Sequence, residues 1–237
     1  SGQARGTKPR LRRLNPALRL NDCRALNSRR TSRRRKRPIP VQPLSEPLIV
    51  RTSSETIVLG MGCFWGAEKR MAAIPGVIDV ESGYANGEID GRYEAVLEHE
   101  RKLQRGLSQQ RNHAEVVKVT FNRERVNLET VLARFWESHD PTQGDRQGND
   151  IGSNYRSAIY TEGVTQLRIA QLSRNRFQKA LTDAGKSRIT TEIGALHCYF
   201  RAEEYHQDYL EKNPDGYCGL GGSGIAYPFV EPEGTWP

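Results

Sequence analysis

Residues Thr56-Ile57-Val58-Leu59-Gly60-Met61-Gly62-Cys63-Phe64-Trp65-Gly66 carry an apolar, β-branched run into a glycine-rich corner. Thr56–Leu59 reads as a strand. The segment that follows, Ala67-Glu68-Lys69-Arg70-Met71-Ala72-Ala73, is made of good helix formers. Cys63 therefore stands at a strand-to-helix junction with Phe64 and Trp65 beside it. A thiol there faces unpaired backbone N–H groups and the positive end of the helix dipole. Both favour the thiolate, which is the nucleophile. Gly60, Gly62 and Gly66 permit a tight turn and close approach of another molecule. Most free cysteines are buried structural residues, but two aromatics and three glycines around this one argue for a pocket.

Working outward, Pro75-Gly76 turns the chain into a strand at Val77–Val80, and Ser82–Gly87 reads as a loop. Ala114–Phe121 is an alternating, β-branched strand. Asn127 caps a helix running to His139, with Leu128, Val131, Leu132, Phe135 and Trp136 at helical spacing, and Asp140-Pro141 ends it. Arg156–Tyr160 reads as a strand and Gln166–Ala184 as an amphipathic helix stopped at Gly185. Strands follow at Ile189–Ile193 and Leu196–Phe200, and Pro214–Gly224 is glycine-rich without a period. Alternating strands and helices with long irregular connections indicate a compact α/β sandwich whose site is built by loops.

The chain has 237 residues and a formal charge of +8. Residues 1–46 hold 14 of the 36 Lys and Arg against two acids, Asp22 and Glu46, a balance of +12; the rest carries −4. The basicity thus belongs to residues 1–50, which have too little apolar surface to fold alone and read as a disordered tail. An Arg- and Ser-rich, acid-poor segment fits an organelle transit sequence, mitochondrial or plastid, with a cytoplasmic protein as the alternative. Arg33-Arg34-Arg35-Lys36-Arg37 also fits a nuclear address, a nucleic-acid patch or a solvated linker. Without interleaved aromatics, nucleic-acid binding there would be non-specific. No apolar run approaches the roughly 20 residues that cross a bilayer. The four cysteines, Cys23, Cys63, Cys198 and Cys218, show no C-x-x-C spacing.

Three further polar clusters can bear chemistry. Glu115, after His113-Ala114 at the start of a strand, could hold a proton at neutral pH in dry surroundings, although an ordinary edge-strand acid is the commoner case. The loop Gln147–Ser157 presents Asp150 and Tyr155 as hydrogen-bonding groups, or is simply a turn. In Lys212–Gly224, Cys218 lies in a segment able to move toward a second thiol, and a disulfide needs Cα atoms within roughly 7 Å. No Lys-Ser/Thr follows the glycines, which excludes a P-loop.

Together, Gly62-Cys63-Phe64-Trp65-Gly66, His113-Ala114-Glu115, Phe135–Gly144, Arg146–Asp150, Tyr155–Tyr160, Ile189–Ile193, Glu204-Tyr205-His206-Gln207 and Lys212–Gly222 resemble the peptide-methionine (S)-S-oxide reductases, the A-type methionine sulfoxide reductases. The blocks occur in family order across residues 56–228. With the elements above, the expected fold is α+β: a compact two-layer α/β sandwich with a mixed sheet on a ferredoxin-like core and long irregular loops, the reductase domain taking residues 51–237. The resemblance implies that Cys63 attacks the sulfoxide sulfur and Glu115 supplies the proton with which its oxygen leaves. Tyr93 and Tyr155 hydrogen-bond that oxygen, Asp150 helps organise the site, and Phe64 and Trp65 cradle the substrate methyl group. Cys63 becomes a sulfenic acid, Cys218 closes a Cys63–Cys218 disulfide, and thioredoxin (or dithiothreitol) reopens it. No metal or bound organic cofactor is implied. The implied substrates are free or protein-bound S-methionine sulfoxide, and the default assembly is a monomer.

Two departures stand out. Where many members carry a second recycling cysteine this chain has Ala226 and Tyr227, and Cys198 reads as a small buried hydrophobe. Between Tyr93 and Glu115, residues 98–112 are longer, more charged and unlike the family's usual connection. A perturbed site would leave a weakened enzyme acting as a thiol redox switch, the second reading; nucleic-acid binding by the tail is the third.

Overall fold

The computed structural model describes residues 53–229. The expected tail, its transit reading and its basic run therefore lie outside the described residues. Strand β1 (Ser54–Met61) leads into α1 (Phe64–Ala72) and β2 (Val77–Ala85). Helix α2 (Tyr93–Gln104), β3 (Ala114–Asn122) and α3 (Leu128–Ser138) follow. The short strands β4 (Arg146–Gln147) and β5 (Asp150–Ile151) form a separate hairpin. Then come β6 (Ser157–Thr161), α4 (Val164–Asp183), β7 (Glu192–Ala195), β8 (Tyr199–Arg201) and α5 (Tyr209–Lys212).

The main sheet has the order β7-β6-β1-β3-β2-β8. Its central four strands, β6-β1-β3-β2, are antiparallel neighbours with α1 and α3 as the crossovers, the split βαβ arrangement of a ferredoxin-like core. The parallel β6–β7 pair makes the sheet mixed. This is the expected α+β sandwich.

Strand alternation decides which side chains meet the helices. Ile57, Leu59 and Met61 of β1 and Val117, Val119 and Phe121 of β3 pack with Phe64, Met71, Leu132, Phe135, Trp136 and Phe177 in the main core. Val58, Val116, Ala158 and Tyr160 face the other side, under Leu196 and Tyr199. Glu115 has the parity of Val117, so β3 aims this carboxyl at the helix face, beside its cross-strand partner Tyr84.

Helix α3 starts as expected, Asn127 Oδ1 accepting the Thr130 N–H at 2.8 Å. Most other boundaries shift by a residue or two, and four differ for a physical reason. The corner is tighter than the helix formers suggest, and α1 begins at Phe64. Ser82–Ala85 is strand, because β3 and β8 pair it on both edges. Ile189 and Thr190 are held by Gln178 and Pro141, and Thr191 by Ser157, so β7 starts only at Glu192. The last strand is Tyr199–Arg201 rather than Leu196–Phe200. Much of the unfamiliar 98–112 segment is the end of α2.

Candidate active site

Met61, Gly62 and Cys63 leave the end of β1, where β3 and β6 begin. Gly62 adopts φ +99°, and a Cβ on it would lie 2.6 Å from the Gln147 side chain. Only glycine makes this corner without strain. Cys63 then occupies the N-cap of α1, 8 % exposed, with the N–H groups of Trp65 and Gly66 toward its sulfur.

Glu115 lies under that corner, 3 % exposed. Its Oε2 accepts the Phe64 N–H and its Oε1 accepts Asn154 Nδ2, both at 3.3 Å. Burial raises its pKa to about 8, against the pull of those two donors. The carboxyl therefore favours its protonated form at neutral pH, which the sequence reading allowed beside the commoner edge-strand acid. The cysteine departs from its expectation. Burial pushes the Cys63 thiol up, an ionised Glu115 adds to the push, and the α1 N–H groups only partly oppose it. The helix-end argument has the right sign but a smaller size than desolvation, so the resting group is a thiol.

Tyr93, at the first turn of α2, and Tyr155, before β6, both feel the charges of Glu115 and Cys63, and burial raises both phenols. Asp150, in β5, is raised by burial, with the Tyr217 hydroxyl beside it acting the other way. Phe64 is 2 % exposed and backs the site through Tyr84 and His206, with ring centroids 5.6 and 5.1 Å away. Half-buried Trp65 forms the accessible wall, stacked on Tyr209 at 3.8 Å. Its indole N–H donates to His206 Nδ1 at 3.1 Å, and the His206 ring meets Tyr93 edge-on at 4.7 Å.

Cys218 is exposed, yet it sits over the first turn of α1: a Cβ on Gly66 would be 2.9 Å from its sulfur. Glycine at 66 leaves room for the second thiol. Arg70 Nη2 holds the segment by donating to the Leu220 carbonyl at 2.7 Å. Cys198, half-buried in the loop between β7 and β8, has its sulfur 3.7 Å from the Gly87 carbonyl. Among the described residues no three His, Cys, Asp or Glu side chains converge as a metal set would.

A family model described as "Peptide methionine sulfoxide reductase" matches residues 55–229, the whole of this arrangement. The chain belongs to the A-type peptide methionine sulfoxide reductase family. It is 48 % identical over 175 residues to the peptide methionine sulfoxide reductase MsrA of Vibrio vulnificus, covering 73 % of this chain and 79 % of that one. It is 39 % identical over 225 residues to the mitochondrial peptide methionine sulfoxide reductase of Mus musculus, covering 91 % and 92 %. Among solved structures, methionine sulfoxide reductase A of Corynebacterium diphtheriae superposes with a TM-score of 0.62 at 39 % identity, over 82 % of this chain and 94 % of that one.

This methionine sulfoxide reductase, an oxidoreductase, thus brings Cys63, Glu115, Tyr93, Tyr155, Asp150, Trp65 and Cys218 to one end of the sheet, with Phe64 behind them. The sequence reading missed Glu203, whose two oxygens accept the Tyr84 hydroxyl at 3.0 Å and the Tyr93 N–H at 2.9 Å. It also passed over Asn154 as a bonding group and Tyr217 as a neighbour of Asp150. None has a local signal, because each works through a partner distant in the chain. The charged 98–112 segment is tied into the reductase. Glu100 accepts Ser153 Oγ at 2.5 Å and Asn112 Nδ2 at 3.1 Å, next to the Asn154 that binds Glu115. His99 Nε2 pairs with the Gln110 carbonyl at 2.9 Å.

Proposed function

We propose that the reductase converts the S epimer of methionine sulfoxide, free or protein-bound, to methionine through a Cys63 sulfenic acid and a Cys63–Cys218 disulfide. The observation that carries this reading is a buried Glu115 carboxyl, its pKa raised by burial, beneath a cysteine at a helix N-terminus. Cys63 Sγ attacks the sulfoxide sulfur to form a sulfur–sulfur bond, and the oxygen then passes to Cys63 Sγ as that bond and the substrate sulfur–oxygen bond both break. Methionine leaves, and the oxygen remains on Cys63 as the sulfenic acid. Glu115 protonates the oxygen as it accumulates charge and recovers a proton from the thiol, so the half-reaction neither consumes nor releases one. With Glu115 neutral, its charge no longer opposes the thiolate, and the Trp65 and Gly66 N–H groups stabilise it as it forms. The Tyr93 and Tyr155 hydroxyls bind the same oxygen, and Asp150 holds Tyr217 and the loop. Trp65, backed by Phe64, receives the methyl group.

The Cys218 thiol then displaces water from the sulfenic acid, closing the disulfide. Its position over Gly66 supports that step. A dithiol protein of the thioredoxin class returns both cysteines to thiols and leaves as its own disulfide. The Arg- and Ser-rich residues 1–50 serve as an organelle address on this reading, in line with the mitochondrial names of the mouse and rat relatives.

The test is turnover of peptides carrying S- or R-methionine sulfoxide with dithiothreitol, for intact protein and Cys63→Ser. Methionine from the S form alone, lost in the variant, is the expected result. Equal turnover of both epimers, or activity surviving without Cys63, overturns the reading.

A further inference from the structure

Beside the site, a cleft of about 420 Å³ opens along α1. Its lining includes Gly66, Lys69, Arg70, Arg134, Ser138 and Cys218, and contains no carboxylate. Lys69 and Arg134 are exposed and Arg70 is half-buried. None of the three forms an ion pair among the described residues. The adjoining groove, along Trp65, shares Lys69 but also carries Glu68, Asp208 and Glu211. Positive charge is thus concentrated on the flank that carries the second cysteine, although residues 47–237 are acidic on balance.

We propose that this cleft seats a low-molecular-weight thiol bearing carboxylates, held by Lys69, Arg70 and Arg134 with its sulfur toward Cys218. The proposal deepens the function above and rests on its Cys63–Cys218 disulfide. The cleft is of small-molecule size, and its one reactive group is the sulfur that a reductant can reach, since Cys218 is exposed and Cys63 is not. The thiolate of the small thiol attacks Cys218 Sγ. The Cys63–Cys218 bond breaks, Cys63 leaves with the electron pair and takes a proton from Glu115, and a mixed disulfide forms on Cys218. A second molecule of the thiol attacks the sulfur of the first, releasing Cys218 as a thiol. Two small thiols become one disulfide, and two electrons and two protons pass to the cysteines. Three clustered cations raise the local concentration of an anionic thiol, an effect that salt screens.

Two measurements decide it. The first is alkylation of the reduced protein by anionic iodoacetate and neutral iodoacetamide, followed at each cysteine by mass spectrometry. The iodoacetate-to-iodoacetamide rate ratio should be about tenfold higher at Cys218 than at Cys198 in low salt, and fall in high salt. It should fall likewise in the Lys69→Gln/Arg134→Gln protein. Equal ratios at the two cysteines, or no response to the double substitution, overturn the cleft. The second is the rate at which glutathione and its dimethyl ester, corrected for thiolate fraction, reopen the disulfide made with one equivalent of sulfoxide. A faster rate for the acid, lost in the double variant, is expected, and equal rates overturn the redox step. If thiol counting finds no Cys63–Cys218 bond after that equivalent, the recycling reading fails, and the redox step with it. The alkylation ratio still decides the cleft by itself.

Discussion

Replacing Glu115 with Gln should make the protein more stable and far less active. The folded carboxyl titrates at about 8 against an ordinary 4.5. Between those values the folded protein holds a proton that the unfolded chain releases, so stability falls as pH rises through that window. At ~1.4 kcal/mol per pH unit, the wild type at pH 7 has lost ~3 kcal/mol relative to acid solution. Glutamine is isosteric and does not titrate, so it recovers that loss. Its carbonyl can still accept the Phe64 N–H. Asn154 Oδ1, which has no protein partner, can turn to accept the new amide once the Asn154 side chain flips. For a domain of this size ~3 kcal/mol corresponds to a rise in melting temperature of roughly 6–12 °C. Thermal melts of both proteins from pH 4 to pH 8 measure it. The gap should be absent below pH 4.5 and widen with pH. Turnover should drop ~10²- to 10⁴-fold, because the glutamine cannot give a proton to the departing oxygen. An unchanged melting temperature at pH 7, or a gap independent of pH, would refute the claim that this carboxyl is buried and protonated.

Cys218→Ser should release one methionine per protein in a single turnover and leave Cys63 as a sulfenic acid, detected by dimedone adduction and mass spectrometry. A Cys63–Cys198 disulfide in its place would show that the wrong thiol has been assigned to recycling. Gly62→Ala puts a Cβ into the left-handed region and 2.6 Å from Gln147. A loss of ~2–3 kcal/mol follows from backbone strain and displacement of that side chain, read as a lower denaturant midpoint at unchanged slope. An unaltered midpoint would mean the corner relaxes at no cost.

The sequence alone determined what depends on neighbours in the chain. The β1–α1 corner, the alternating β3 and the Asn127-capped α3 follow from local pattern and capping, so the α+β class and the positions of Cys63 and Glu115 were readable. Strand limits at Ser82–Ala85 and Glu192–Ala195 were not, because pairing with β3, β8 and β6 decides them against weak local preference. The electrostatics belonged to tertiary structure as well. Proximity to a helix end forecast a thiolate at Cys63, whereas burial keeps it a thiol. For Glu115 the same burial produced the protonated acid that the sequence could only allow. Glu203, Asn154, Tyr217 and the placement of Cys218 over Gly66 join segments far apart in the chain. Charge stabilisation, unlike helix or strand preference, depends on how much water the whole fold excludes and on which distant groups it brings near.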